Sequence, residues 1–514
     1  MLEQSSKSPL PLSLKETTEW IKQLLGNSCD LVVREFRLGY EGAPRAALLY
    51  TDGLVDLELV QLFILKPLME LDDPPRASDS KEPGTSDPSG KEEPYIRQLI
   101  EQVLPTGGTC EIRERDGYVN AVLTGYAVIS IDGCSTAIAV ELRGWEERGV
   151  DEPSTQTVIR GPREGFSENI RINTALIRRF IKDPKLWIES QTIGRSTQTA
   201  VSVAYMKGTA SEGVVDEVRR RLSEIDIDAI LESSYIEELI QDDFFTPFPT
   251  IFHTERPDAV AAGLLEGRVA ILIDRTPFVL MVPALFVQFF QSPEDYYQRS
   301  DIGSLIRILR FLCFGIAMFV PSIYIAITTF HQEMLPTSLF ISLAAQREGV
   351  PFPAFIEAML MEVTFEILRE AGIRMPRSVG QAVSIVGTLV IGQAAVEAGI
   401  VSAAMVIVVS ITAISSFVLP SFNISISVRM LRFLFMLLAA SFGIYGIIVA
   451  FIALVLHLSR LSSFGVPYLT PFAPLYWSDQ KDAIMRWPIW AMRKRPRMIA
   501  QSNRIRQRKR GPRG

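Results

Sequence analysis

Three glutamates recur at helical spacing in an otherwise apolar stretch, PAFIEAMLMEVTFEILREA, which covers residues 353–371. Glu362, Glu366 and Glu370 are four residues apart, so a helix would carry them on one side together with Arg369. The other side would be apolar and would include Val363. Ionisable groups at membrane depth usually face one another or a water-filled cavity. We therefore predict a helix that lines a pore, lies in the membrane interface or packs on a partner.

A second group of charged residues lies in the stretch REGFSENIRINTALIRRFIK, residues 163–182. We predict that it forms a helix with Ser167 as its N-cap. Its candidate contact residues are the arginines Arg163, Arg171, Arg178 and Arg179. They form either a solvated basic face or a contact with an acidic helix such as ILESSYIEELIQDD, in the same subunit or in a neighbour.

Enzyme motifs are absent from the sequence. It contains no phosphate-binding loop, no H-E-x-x-H, no G-x-S-x-G and no Cys/His spacing suited to a metal. Its three histidines are far apart, and its four cysteines form no C-x-x-C pair, which fits a reducing compartment. We predict no catalytic residue, no cofactor and no metal site.

Long uncharged runs dominate the second half of the chain. We predict four membrane spans, which cover residues 311–330, 379–396, 400–428 and 433–459. The N-terminus lacks the apolar core of a signal peptide, so the soluble half stays in the cytosol. After Asp482 the chain has eleven Lys and Arg and no acidic residue, which predicts a tail on the same side. Two termini on one side require an even number of spans, which leaves 353–371 re-entrant or interfacial.

The elements that position these residues fall into five regions. Residues 1–147 form a first α/β subdomain with a disordered insert at 72–94, and residues 148–243 form a second, α+β subdomain. Residues 244–300 form a bridge with a β-hairpin (GRVAILID and TPFVLMVP) and an amphipathic aromatic helix. A transmembrane domain (301–460) and a basic tail (461–514) follow. The predicted fold is thus an α+β soluble region of two small α/β subdomains followed by an all-α polytopic membrane domain. The tail is expected to contact anionic lipid rather than nucleic acid.

Several stretches resemble the A subunit of GerA-family spore germinant receptors. They include VVDEVRRRLSEID, SPEDYYQR, GVPYLTPFAP and the long block LPTSLFISLAAQREGVPFPAFIEAML, and the resemblance covers about residues 160–475. The chain departs from the family at Arg275, where the family has a glycine in a D-G-T turn.

The resemblance implies a place in the inner membrane of the endospore, with the N-terminal domain and the tail on the core side. It implies assembly with a transporter-like, nutrient-binding B subunit and a lipoprotein C subunit, and homo-oligomerisation into a nutrient-gated channel for monovalent cations. Rings of Glu362, Glu366 and Glu370, with Glu397 in a vestibule and Val363 near a gate, would suit such a channel. The alternatives are that these glutamates pair with Arg369, Arg374 and Arg377 or face water on an interfacial helix. The subunit would then be a non-conducting scaffold or a transporter component.

Overall fold

A computed structural model of the chain describes residues 8–71, 92–105, 108–144, 153, 156, 158–375, 392–500 and 503–507. Two compact units divide the chain. The first is drawn from Met1–Ile240, His253–Pro283 and Arg495–Arg504, and the second from Gln241–Phe252, Ala284–Lys494 and Ile505–Gly514. The predicted insert at 72–94 lies outside the described residues, except that its last three residues begin a helix. The predicted span at 379–396 also lies outside them, apart from its last five residues.

The first unit begins with a five-stranded sheet in which every neighbouring pair is antiparallel. Its strands, in the spatial order β1-β2-β4-β5-β3, are β1 (Leu31–Arg37), β2 (Arg45–Thr51), β3 (Thr109–Ile112), β4 (Tyr126–Ile131) and β5 (Ala137–Glu141). Its helices are α1 (Leu14–Leu24), α2 (Leu57–Val60), α3 (Lys66–Met69), α4 (Glu92–Gln98) and α5 (Arg115–Leu123), and π-helical turns follow α2 and α4.

Helices cover both faces of this sheet. Along β2, Ala46 and Leu48 join one buried cluster while Ala47 and Leu49 join another. Successive strand residues point to opposite faces, so a strand buried at every position needs a cover on both. This explains why the strand RAALLYT is almost continuously apolar.

The run GYVNAVL is helical, although its apolar residues would also suit a strand. It lies in α5. Tyr118 and Val122, one helical turn apart, are both fully buried against the sheet. Gly125, at φ 88°, then separates the helix from β4. A short run of apolar residues suits a helix or a strand equally well, so the apolar pattern alone does not identify this helix.

A second five-stranded sheet completes the first unit. Its order is β6-β7-β9-β10-β8, from β6 (Leu186–Ile193), β7 (Thr199–Met206), β8 (Phe252–Thr254), β9 (Val269–Ile273) and β10 (Val279–Val282). Its helices are α6 (Ile170–Phe180), α7 (Glu212–Ser223), α8 (Ser233–Ile240) and α9 (Pro257–Glu266). The hairpin predicted in the 244–300 bridge is confirmed as β9 and β10, which pair antiparallel. Since β9 also pairs with β7, this sheet extends beyond residue 243.

The second unit is mainly helical. Its helices are α10 (Glu294–Tyr297), α11 (Ser300–Thr329), α12 (Thr337–Arg347), α13 (Ala354–Arg374), α14 (Gly392–Glu397), α15 (Ala403–Phe417) and α16 (Phe422–Arg460), followed by the strand pair β11 (Ser462–Ser463) and β12 (Val466–Pro467). Among the described residues, α11 and α16 are long and apolar enough to cross a membrane, and α15 is a shorter apolar helix.

The boundaries of two predicted spans are wrong. The run 400–428 is interrupted at Val418–Ser421, where Pro420 cannot continue a helix, and the 39-residue α16 starts at Phe422. That helix passes through Arg429 and Arg432, which lie in the gap between the predicted spans 400–428 and 433–459. Both arginines have carboxylate partners, so they do not end the apolar helix.

The aromatic helix predicted in the bridge is also different. Residues Phe286–Phe290 form a 3₁₀-helix, and all five are buried. Phe290 stacks on Phe311 of α11 with ring centroids 4.3 Å apart. These rings thus pack in the core of the second unit instead of lying on a surface.

Candidate functional site

The acidic helix predicted at 353–371 is present as α13, and its acidic side faces inward. Glu357 and Glu362 are 1% and 0% exposed, whereas Ile367 on the other side is 64% exposed. The exposed apolar positions follow one helical stripe, made of Ile356, Leu360, Val363 and Ile367. This arrangement is the reverse of an amphipathic helix on a water-soluble protein.

Two arginines of α16 pair with the inward carboxylates. Arg432, fully buried, lies with Nη1 3.0 Å from Oε1 and 2.9 Å from Oε2 of Glu362. Arg429 donates from Nη1 to Oε2 of Glu366 at 2.6 Å. The spacings match, since Glu362 and Glu366 are one turn apart on α13 and Arg429 and Arg432 are nearly one turn apart on α16. The pairs compensate charges that would be costly to bury alone.

Glu357 forms a third inward contact that the sequence analysis missed. Its carboxylate accepts hydrogen bonds from the backbone N–H of Ser402 at 3.1 Å and from its hydroxyl at 2.9 Å. Ser402 is the N-cap of α15, where negative charge is favourable. Arg347 lies 3.3 Å from the same carboxylate. Glu357 therefore ties α13 to the start of α15.

The remaining predicted pore residues are exposed. Glu370 pairs with Arg374 at 2.6 Å on the surface of α13. Glu397, at the end of α14, accepts a hydrogen bond from Gln393 at 2.8 Å. Arg369 does not form an ion pair with these glutamates. Its guanidinium lies over the rings of Phe417 and Phe422, 5.5 and 5.7 Å from their centroids. The inward glutamates are thus separated from Val363 and Glu370, which lie on the exposed side.

A different signal could have identified the arginine partners. Arg429 and Arg432 are the two charged residues between the uncharged runs 400–428 and 433–459. Two cations one turn apart in an apolar helix require two anions nearby, and α13 has them at the matching spacing. The pairing spans 63 and 70 residues of sequence, so local helical pattern could not reveal it.

The basic helix α6 makes its contacts inside the first unit. Arg178 is 1% exposed and donates from Nε to Asp30 Oδ2 at 2.6 Å, from Nη2 to Asp30 Oδ1 at 3.1 Å, and to Ser28 Oγ at 3.0 Å. Arg171 reaches Asp52 at 2.5 Å. The partners are therefore carboxylates of the first subdomain, and not the acidic helix α8 as suggested above.

The other two arginines of this group are more accessible. Arg179 lies 3.3 Å from Glu164 and is about one-third exposed, and Arg163 is exposed in the loop before α6. The N-cap of α6 is Asn169, whose side chain accepts from the backbone N–H of Arg171, and not the predicted Ser167. Because Arg178 is buried within its own chain, a contact with a neighbouring subunit at this position is wrong; it stays a prediction for Arg163, Arg171 and Arg179.

The first subdomain approaches α6 closely. A Cβ on Gly53, which has φ 78°, would lie 2.8 Å from the Cβ of Ala175 and 3.1 Å from the carbonyl oxygen of Arg171. The backbone N–H of Cys29 also donates to the carbonyl of Ile188 in β6 at 2.9 Å. The two sheets of the first unit are thus joined by ion pairs, backbone hydrogen bonds and close packing. Among the described residues, no group of His, Cys, Asp or Glu is arranged to hold a metal ion.

Comparison with known proteins shows the family of the chain. The Bacillus/Clostridium GerA spore germination protein family matches residues 19–498. The chain belongs to the GerA family. It is 49% identical over 495 residues to spore germination protein KA of Bacillus subtilis (strain 168), across 96% of this chain and 88% of that protein.

Two further proteins are similar to this chain. The chain is 44% identical over 503 residues to the uncharacterized membrane protein YfkQ of Bacillus subtilis (strain 168), across 98% of this chain and 94% of that protein. It is also 37% identical to the crystallised N-terminal domain of the A subunit of the Bacillus megaterium spore germinant receptor GerK3. That match covers 55% of this chain and 100% of that one, with a TM-score of 0.41.

Proposed function

We propose that the chain is the A subunit of a nutrient germinant receptor in the endospore inner membrane. Copies of it oligomerise as a nutrient-gated channel for monovalent cations that triggers germination. It assembles with a transporter-like B subunit that binds the nutrient and with a lipoprotein C subunit. Its N-terminal region and tail lie on the core side. Membership of the GerA family and the apolar helices α11 and α16 support this proposal.

The exposed apolar stripe of α13 carries the channel part of the proposal. Ile356, Leu360, Val363 and Ile367 are between 39% and 64% exposed in a single copy of the chain. Such a stripe needs an apolar environment or a neighbouring copy, since continuous apolar surface in water is unfavourable. In a ring of copies, Val363 and its neighbours would form an apolar constriction, which can close a pore by excluding water.

The charges divide into two roles. Glu362 and Glu366 hold α13 against α16, so their contribution is the orientation of the apolar stripe. Glu370 follows the stripe by one turn and is exposed, so it would supply a ring of negative charge that attracts cations. Glu397 would add charge in a vestibule.

A non-conducting scaffold is the second candidate function. The observation in its favour is that the buried carboxylates are already compensated by arginines of the same chain. On this alternative the apolar stripe would pack on the B or C subunit. A transporter component is the remaining alternative.

Ion flux through the reconstituted receptor distinguishes these functions. The A, B and C subunits in liposomes should pass potassium on addition of the nutrient, with little chloride flux. Glu370→Gln should reduce the preference for potassium over chloride, because it removes one charge per copy from the pore. Asp226→Asn removes the same charge from an exposed site in the first unit and should leave selectivity unchanged. Absence of nutrient-dependent flux in a complete complex would favour the scaffold.

A further inference from the structure

Among the residues that the structure describes, the exposed tryptophans lie in the segment that follows α16. Trp477, Trp487 and Trp490 are 79%, 47% and 49% exposed. Large exposed apolar residues lie between and beside them: Leu475, Ile484, Met485 and Ile489. We call these seven residues the tail tryptophan surface. Isolated exposed apolar residues are ordinary, but seven of them within residues 475–490 mark an interaction site.

Hydrogen bonds fix this segment to the first two turns of α11. The hydroxyl of Ser304 donates to the carbonyl of Arg486 at 2.8 Å and accepts from its N–H at 3.1 Å. Arg486, 4% exposed, also donates to the carbonyl of Gln298 at 3.0 Å. Arg307 donates to the Asp482 carboxylate at 2.8 Å. With Arg486 buried, the side chains of Met485 and Trp487 on either side of it are exposed.

The attachment places the surface at a defined level along α11. Ser304 precedes Phe311, where the uncharged run of this helix starts, by seven residues, or about 10 Å of helix. The headgroup layer adds about 5–8 Å to each side of the hydrocarbon, so a position about 10 Å from the apolar run lies at the water-facing edge of that layer. Tryptophan is enriched in this layer because its ring is apolar and its N–H can bond to water or headgroups.

The charge of the segment indicates that it would bind anionic lipid. No acidic residue follows Asp482 in the sequence. Within the second unit, Arg493 and Lys494 come three and four residues after Trp490 and are at least partly exposed. Lys481 lies over the ring of Trp487, 5.2 Å from its centroid. Basic residues beside interfacial tryptophans are attracted to anionic headgroups.

We infer that the tail tryptophan surface is an interfacial anchor that inserts into the headgroup layer of an anionic lipid bilayer. The inference rests on the membrane placement of α11 in the proposed function, and not on ion conduction. The anchor would hold the start of α11 at a fixed depth, so that the tail and this helix move together.

Fluorescence quenching tests the anchor in the full-length protein. The chain is reconstituted in vesicles of phosphatidylcholine and phosphatidylglycerol that contain phosphatidylcholine brominated near the top of its acyl chains. Three of its six tryptophans belong to the surface. The bromolipid should therefore quench the wild-type emission at least about twofold more than that of the triple variant Trp477→Phe, Trp487→Phe, Trp490→Phe. Equal quenching of the two proteins would show that the surface is not in the bilayer and would overturn the anchor. The surface would then face water or another protein.

Two further variants separate the possible causes. Arg493→Gln with Lys494→Gln should reduce quenching in the anionic vesicles and leave it unchanged in vesicles of phosphatidylcholine alone; an equal effect in both would overturn the anionic preference. Leu437→Trp, in the triple-variant background, adds a tryptophan at an exposed position within α16. Quenching at position 437 without quenching of the tail overturns the anchor alone. Absence of quenching at both overturns the membrane placement as well.

Discussion

Arg178 and Asp30 form a buried, bidentate ion pair between the two sheet-containing parts of the first unit. Replacing one member of such a pair leaves a charge in an apolar environment and typically costs about 3–5 kcal/mol. Arg171 and Asp52 connect the same parts through side chains that are 43% and 31% exposed, and a pair of that kind contributes about 0–1 kcal/mol. The two arginines lie two turns apart on one helix, and we expect them to contribute very differently to the stability of the first unit.

Asp30→Ala should destabilise the junction around α6 by several kcal/mol, because Arg178 loses its carboxylate. Hydrogen exchange of the α6 and β6 amides in the full-length protein would measure the change in local opening free energy. Asp52→Ala is the matched control and should shift it by about 1 kcal/mol or less. Similar protection in both variants would contradict a structural role for the buried pair.

The buried ion pair between Glu362 and Arg432 in the second unit leads to a comparable prediction. Glu362→Arg and Arg432→Glu should each abolish the nutrient response or the accumulation of the protein, because each places two like charges in a buried site. The double exchange restores opposite charges and should recover a substantial part of both. Potassium release and the amount of protein in spores are the readouts. If the double exchange is no better than either single change, the two residues do not act as a pair.

At the scale of elements, the sequence predicts well which segments are helical. It predicts less well which side of each helix is buried. The helix at 353–371 is present as α13, with Glu362 on the buried side and Val363 on the exposed side, but Glu370 lies on the exposed side with Val363. The acidic side is buried because its partners lie on α16, far away in sequence, and no local periodicity contains that information. The same reasoning explains why Arg429 and Arg432 do not end a helix, although an unpaired charge at that depth would.

The turn between β9 and β10 shows a local departure whose cost can be measured. Arg275 has φ 71°, a left-handed conformation that glycine adopts freely and other residues adopt at a cost. Glycine is the residue that the family resemblance leads us to expect here. Arg275→Gly should therefore stabilise the hairpin by up to about 1 kcal/mol, because it removes this strain.

Arg275→Ala is the control for this prediction, since it removes the exposed guanidinium but keeps the Cβ and the strain. Hydrogen exchange of β9 and β10 in the full-length protein would report the difference. Equal protection of the glycine and alanine variants would show that the left-handed conformation is not costly at this position.

At the scale of the whole molecule, the sequence predicts an α+β region followed by a helical region, and both are present in the order expected. The tail is the part that composition described least well. Its positive charge suggested a simple basic extension, whereas Arg486 is buried and hydrogen-bonded to the start of α11. Net charge predicts the environment of a segment, but it does not predict which of its basic side chains are buried in hydrogen bonds within the protein.

The central claim for the whole molecule is that the apolar stripe of α13 closes a cation pathway. Val363→Ala removes two methyl groups from an exposed position, so it should weaken an apolar constriction with little effect on folding. Ile414→Ala, at a 65% exposed position of the neighbouring helix α15, is the matched control.

The most direct measurement is potassium release from dormant spores that carry the assembled receptor, recorded without nutrient. We predict spontaneous release from Val363→Ala spores and none from wild-type or Ile414→Ala spores. Normal dormancy and a normal nutrient response in the Val363→Ala spores, with the complex present at the wild-type amount, would contradict a gate on this helix.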